Sequence, residues 1–205
     1  MTLAERYVLL ALDPLRGKPA AGVRADSLRR GTSAAILVEL VLHRRIAVAN
    51  EEVTVAAALP DFHPLLGEAV PLLARGAVPI PVGEALSRIE RGIPKIVARV
   101  LDSLVARDLL HHYRQAFVFH THPLRSRQAL DEVFAALHRV LDGTASRAEL
   151  AFAALVDCCG VGAARLPSET QFLLRRALAV VEQQPNAPEE FAEIRAITRA
   201  ADETA

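Results

Sequence analysis

The chain has 205 residues, 52% of them hydrophobic, so it is long enough to fold around its own core. Its 24 basic and 24 acidic side chains cancel, which argues against general electrostatic affinity for nucleic acid, since that needs an excess of cations facing phosphate. Mean hydropathy is high at +0.24, yet no apolar run approaches the roughly 18 residues of a membrane span, and the longest candidate, AAILVELVL, is interrupted by Glu39.

In chain order, LAERYVLLALD carries apolar residues on one face. Glu5 and Arg6 precede its short apolar run and no small-residue cleavage site follows, so it reads as a helix and not a signal peptide. Asp13-Pro14 ends it, and RGKPAAG is a loop. DSLRRGTSAAILVELVLHRR predicts a second helix, capped by Asp26 or Ser27 and closing on basic residues that favour the helix dipole. RIAVANEEVTVAA alternates on both sides of Asn50-Glu51, a short hairpin. HPLLGEAVPLLARG and PVGEALSRIERG are short helices ended by glycine. IPKIVARVLDSLVARDLL is a longer one, with Ile96, Val100, Leu101, Leu104 and Val105 at helical spacing.

Beyond residue 125 the chain is helical again. RSRQALDEVFAALHRVLDG sets Leu130, Val133, Phe134, Leu137 and Leu141 on one stripe. Two later helices each begin with a capping-box pattern, Ser146 with Glu149 and Ser168 with Gln171. APEEFAEIRAITRAADETA is an amphipathic C-terminal helix with acidic residues in its first turn. No linker, repeat or low-complexity segment divides the chain. The reading is a mostly α protein, a single compact domain over residues 1–205 with a helical core and two short β-hairpins.

The second hairpin falls in LLHHYRQAFVFHTHPL, residues 109–124, which holds four of the seven histidines. Three functions compete for it. A metal site needs more than His120 and His122 on one face of a strand, because zinc takes three or four protein ligands and no thiolate or carboxylate is placed beside them. Pro123 also holds the backbone of His122 extended. A winged helix is suggested by the order of elements, a helix followed at once by a hairpin, but Asp102 and Asp108 intersperse Lys95, Arg99 and Arg107. The third reading is an apolar hairpin that meets a membrane or a partner.

Catalytic patterns are absent: no G-x-S-x-G, no glycine-rich phosphate loop, no H-E-x-x-H and no C-x-x-C. Neither catalytic residues nor a cofactor or metal is expected. Cys158 and Cys159 are adjacent on a helix, about 100° apart, which suits neither a disulfide nor a shared metal. They read as buried, reduced thiols of a cytoplasmic protein.

Several stretches together resemble the Golgi phosphoprotein 3 family. GTSAAILVELVLHRRIAV, residues 31–48, is similar to its small-residue helix leading into an E-L-x-L-R-G-R-like end. Glu39, Leu40, Leu42, Arg45 and Ile46 match, while His43 and Arg44 replace Arg-Gly. VLDSLVARDLL resembles the family's L-V-x-x-G-V-L helix end, with Asp108 in place of glycine. VFHTHPL resembles its T-H-P-L, and YVLLALDPLRGKP its first helix and D-x-x-G loop.

The resemblance implies a helical domain around a central four-helix bundle with a projecting apolar hairpin. It also implies a non-enzymatic, peripheral membrane protein; eukaryotic members bind phosphatidylinositol 4-phosphate and hold glycosyltransferase tails. The family's lipid-binding tryptophan falls at Arg24, and its three arginines at Ser33, Pro94 and Val97, so none of the four is kept. Arg24, Arg29, Arg30, Lys95 and Arg99 are the candidate anion- or lipid-binding side chains. Tyr113, Arg114 and Phe117 are the candidate hairpin contacts to a membrane, a protein partner or a second copy, with Tyr113 and Phe117 near the tip and Phe119 facing the body. The Ala-, Leu- and Arg-rich composition suggests a bacterial member, cytoplasmic and peripheral at the membrane. The alternative is a soluble winged-helix-like regulatory module.

Overall fold

A computed structural model of the chain describes residues 1–56, 63–76, 79–115, 119–184 and 187–203, with the backbone alone for Arg114, Gln115, Phe119, His120 and Glu189. The first half contains α1 (Leu3–Ala11), α2 (Ala25–Leu42), β1 (Ile46–Ala49), β2 (Glu52–Val55), α3 (Pro64–Leu73), β3 (Ile80–Pro81), α4 (Val82–Gly92) and α5 (Ile96–Ala106). The second half contains β4 (Tyr113–Gln115), β5 (Phe119–Thr121), α6 (Arg127–Leu141), α7 (Arg147–Cys158), α8 (Val161–Arg165), α9 (Ser168–Gln183) and α10 (Glu189–Asp202).

The centre is the four-helix arrangement that the sequence resemblance implies. α2 packs on α1, α7 and α10, while α7 also packs on α1 and α10. α3, α4 and α5 cover one flank of α2, and α6, α8 and α9 cover α7. α2 and α7 are apolar on nearly every side because both lie inside; Ala34 to Val38 and Ala151 to Val156 are all buried. The tightest approach is between α1 and α2. A Cβ on Gly31 would lie 2.2 Å from the Tyr7 ring, so only glycine admits the ring there. The Tyr7 hydroxyl donates to the Cys159 carbonyl at 2.8 Å, tying α1 to the end of α7.

The hairpin at Asn50-Glu51 forms as the alternation predicts. Ile46 pairs with Val55 and Ala49 with Glu52, and both turn residues have positive φ, 52° and 61°, as a two-residue turn of matching twist requires. β3 adds a third strand, Glu52 opposite Pro81 and Val53 opposite Ile80. At two residues it is too short to leave a periodic signal.

Several helix ends differ from the sequence reading. α2 starts at Ala25 with Arg24 as N-cap and no side-chain cap, so Asp26 sits in its first turn, and it ends at Leu42, before the basic residues. The α4–α5 region is two helices of equal length, 11 residues each, broken where Pro94 precedes a left-handed Lys95, φ 54°. The Ser146–Glu149 capping box forms, but Ser168–Gln171 does not. Pro167 takes the N-cap position, Ser168 is already helical, and Gln171 Nε2 donates to the Leu166 carbonyl at 2.8 Å. A capping box that the reading passed over, Thr2 with Glu5, starts α1.

Candidate functional site

The five candidate cations are brought to two helix starts. Arg24 is the N-cap of α2 and Lys95 the N-cap of α5; both are exposed, and neither helix has a side-chain cap. Arg29 and Arg30 follow one turn into α2, and Glu90 of α4 joins them. Its carboxylate lies 3.3 Å from Arg30 Nη1 and 3.8 Å from Arg29 Nε, and Arg29 also meets Asp26 at 3.1 Å. The chain reaches Lys95 only five residues after Glu90, so the start of α5 belongs to this same end of the helix bundle. One turn into α5, the Arg99 guanidinium grips Glu68 of α3 through both terminal nitrogens, one at 2.6 Å. That fork holds the Glu68 carboxyl below the usual carboxylate range.

Three of the five candidates are thus already matched by carboxylates from α2, α3 or α4. Arg24 and Lys95 have no ion pair among the described residues. The positions inherited from the resemblance also divide. Ser33 is fully buried, and its hydroxyl donates back to the Arg29 carbonyl at 3.2 Å, so it faces no ligand. Val97 packs against the core, while Pro94 is exposed.

The second hairpin is anchored at its base. Leu110 bridges Leu124, and the His111 amide donates to the Pro123 carbonyl at 2.9 Å. The His122 and Leu124 amides donate to the Gly17 and Pro14 carbonyls, both at 2.9 Å, which fastens the hairpin to the loop after α1. Tyr113 pairs with Thr121 at the first register position, so it lies at the base and not near the tip, and it is 52% exposed. Arg114 pairs through its backbone with His120. Phe117, and the side chains of Arg114, Phe119 and His120, lie outside the described residues. His122 stacks on His112 with ring centroids 5.1 Å apart. Among the described residues no three His, Cys, Asp or Glu gather as metal ligands, and no helix is long and apolar enough to cross a membrane.

The sequence model of the Golgi phosphoprotein 3 (GPP34) family matches residues 3–197. The chain belongs to the Golgi phosphoprotein 3 family. No curated protein matches it. Membership makes sense of two backbone positions. Where the family motifs carry glycine, this Golgi phosphoprotein 3-like chain has Arg44 and Asp108, and both keep a left-handed backbone, φ 54° and 60°. Each therefore holds a conformation that favours glycine without being one.

A buried polar cluster at the other end of α1 escaped the sequence reading. Glu5 is 1% exposed and accepts from Ser103 Oγ at 2.7 Å, Arg107 Nη1 at 2.8 Å and the Thr2 amide at 2.8 Å. Glu39, in the family's E-L-x-L motif, accepts the Leu3 amide at 2.9 Å. Burial, with Glu5 nearby, pushes the Glu39 carboxyl up to about 7. The T-x-x-E spacing at Thr2 was the available signal; the partners 98 and 102 residues away were not legible locally. The cysteines are free; Cys159 is buried, and Cys158 accepts from Arg195 Nη1 at 3.5 Å.

Proposed function

We propose that this protein is a non-enzymatic, peripheral membrane-binding protein that recognises anionic lipid surfaces with little selectivity for phosphatidylinositol 4-phosphate. The observation that carries the reading is the placement of Arg24 and Lys95. A cation at a helix N-terminus opposes the helix dipole, and the first-turn amides of α2 and α5 have no side-chain cap. An arriving anion relieves both conditions at once, accepting hydrogen bonds from free amides and pairing the cation. Each basic residue near an anionic surface adds about 1 kcal/mol, so these two cations support weak, reversible attachment. Arg29 joins at the cost of its exposed pair with Asp26 and its longer contact with the half-buried Glu90. The missing tryptophan and arginines at Arg24, Ser33, Pro94 and Val97 remove the contacts that would single out one headgroup. The half-exposed Tyr113 makes the hairpin base a second point of contact.

Co-sedimentation of the full chain with phosphatidylserine, phosphatidylinositol 4-phosphate and neutral vesicles tests this. Binding to both acidic vesicles at low salt, lost at high salt and lost in Arg24→Glu with Lys95→Glu, is the expected result; exposed charges are screened beyond about 8–10 Å near physiological ionic strength. A preference of tenfold or more for phosphatidylinositol 4-phosphate at equal charge overturns the selectivity, and no binding to either acidic vesicle overturns the membrane reading.

The order α5, β4, β5 favours a second reading, a winged-helix-like module. Against it, Arg99 and Arg107 of that region are held by Glu68 and Glu5. A nucleic-acid mobility shift in the absence of vesicle binding would favour this reading.

A further inference from the structure

α9 carries an apolar stripe that the rest of the molecule covers only in part: Ala177 and Val181 touch the core, while two neighbours stand out. Leu174 and Leu178 are buried against the body, but Leu173 is 42% and Val180 51% exposed. Leu173, Ala177, Val180 and Val181 follow each other at helical spacing along one side of the helix, over about 12 Å at 1.5 Å per residue. Opposite them stand Leu141 at the end of α6 and Leu150 in α7, and together they enclose a groove of about 540 Å³. That volume is in the range of a site for one small ligand and is a concavity between three helices, not a flat patch.

The polar content of the groove is what defines an occupant. Among the described residues its one charged lining residue is Arg176, which stands between Leu173 and Val180 on the same side of α9. Arg176 has no ion pair among the described residues. The contrast with the adjacent residue is direct: Arg175, outside the groove, is held by Asp157 at 2.7 Å. A lone guanidinium in an apolar wall fits a molecule with a long hydrocarbon part and one planar anion, which the guanidinium can meet with two parallel hydrogen bonds.

We propose that this groove binds a single acyl chain ending in a carboxylate, a free fatty acid, with the chain along Leu173, Ala177, Val180 and Val181 and the carboxylate on Arg176. The site lies on α6, α7 and α9, apart from Arg24 and Lys95, so it stands whether or not the membrane reading does.

Fluorescence titration of the full chain with a dansyl-labelled fatty acid below its micellar concentration tests the site, with myristate, myristyl alcohol and a cationic surfactant of the same chain length as competitors. Expected are saturable binding at one site per chain, displacement by myristate and poor displacement by the cationic surfactant. Arg176→Gln should weaken myristate about tenfold, as for loss of a charge-assisted contact, while leaving the alcohol unchanged. Val180→Asp, at an exposed position, should abolish binding with the circular dichroism spectrum and Tm retained. The proposal is overturned by absence of saturable binding, by equal displacement with the cationic surfactant, or by unchanged myristate affinity in Arg176→Gln. Self-association that Val180→Asp abolishes would instead assign the groove to a second copy of the chain and would also overturn it.

Discussion

The two ends of the α1–α2 contact are closed by opposite means. At one end the Tyr7 ring occupies the space of a missing side chain at Gly31, and its hydroxyl reaches the Cys159 carbonyl. At the other end two carboxylates, Glu5 and Glu39, are buried where α1 begins, each accepting a backbone amide from the first residues of the chain. The first closure is a matter of volume and does not depend on pH. The second is a matter of charge: Glu5 has Arg107 and Ser103 to meet it, whereas burial penalises the charged form of Glu39. Cores fixed by shape fail when atoms are added; cores fixed by charge fail when a partner is removed or a proton moves.

The largest effect should come from adding atoms at the apolar end. Gly31→Ala places a methyl where the Tyr7 ring lies, and a loss of about 3 kcal/mol is expected, readable as a lower urea midpoint at unchanged m-value. Combining it with Tyr7→Leu should cost less than the two single changes summed, since the collision is shared. Next comes the charged end. Glu5→Ala removes a helix cap and leaves Ser103 and Arg107 without their acceptor, for a loss of about 2 kcal/mol, discounted because Arg107 is half exposed.

Glu39→Gln should act with the sign reversed at alkaline pH. The folded protein binds this proton more tightly than the unfolded chain does, because its carboxyl titrates at about 7 instead of the ordinary 4.5. The corresponding stability is fully present below pH 4.5 and is lost as the pH rises through about 7. The glutamine variant lacks this fall, so at pH 8 it should be the more stable protein by on the order of 1–3 kcal/mol, and the two should converge near pH 5. Urea melts at the two pH values decide it; equal stabilities at pH 8 would refute the charge account of this end. The smallest effect lies just beyond α2. Arg44→Gly should stabilise by about 0.5–1 kcal/mol, since φ is 54° there and the ion pair lost to Glu190 is long, 3.8 Å, on a side chain that is 80% exposed.

How much of this was legible follows from the range of each interaction. The periodicity of α6 and the alternation around Asn50-Glu51 are local signals, and both elements form where they predict. The Ser146–Glu149 and Ser168–Gln171 pairs look alike in sequence, yet only the first becomes a cap, because Pro167 shifts the start of α9 by one residue. The candidate cations followed from the family resemblance, as residues at or near its binding positions, but what distinguishes them was not legible. Glu90 and Glu68 lie 60 and 31 residues from the arginines they hold, so only the fold separates engaged Arg30 and Arg99 from Arg24 and Lys95, which have no ion pair among the described residues. The groove on α9 was equally silent, because an apolar stripe reads the same whether a neighbouring helix covers it or not.

Gly17 gives the second hairpin a fixed base. A Cβ there would stand 2.1 Å from the His122 carbonyl carbon and the Pro123 nitrogen, so the two backbones touch with nothing between them. The loop is itself braced: Asp13 and Lys18 are joined at 2.8 Å, and the Ala20 amide returns to the Ala11 carbonyl at the end of α1 at 2.9 Å. The base of the hairpin is therefore clamped to the loop at Gly17. The clamp is continuous with the last turn of α1, and through Arg165, which donates to the Leu10 carbonyl at 2.8 Å, with α8 beyond it.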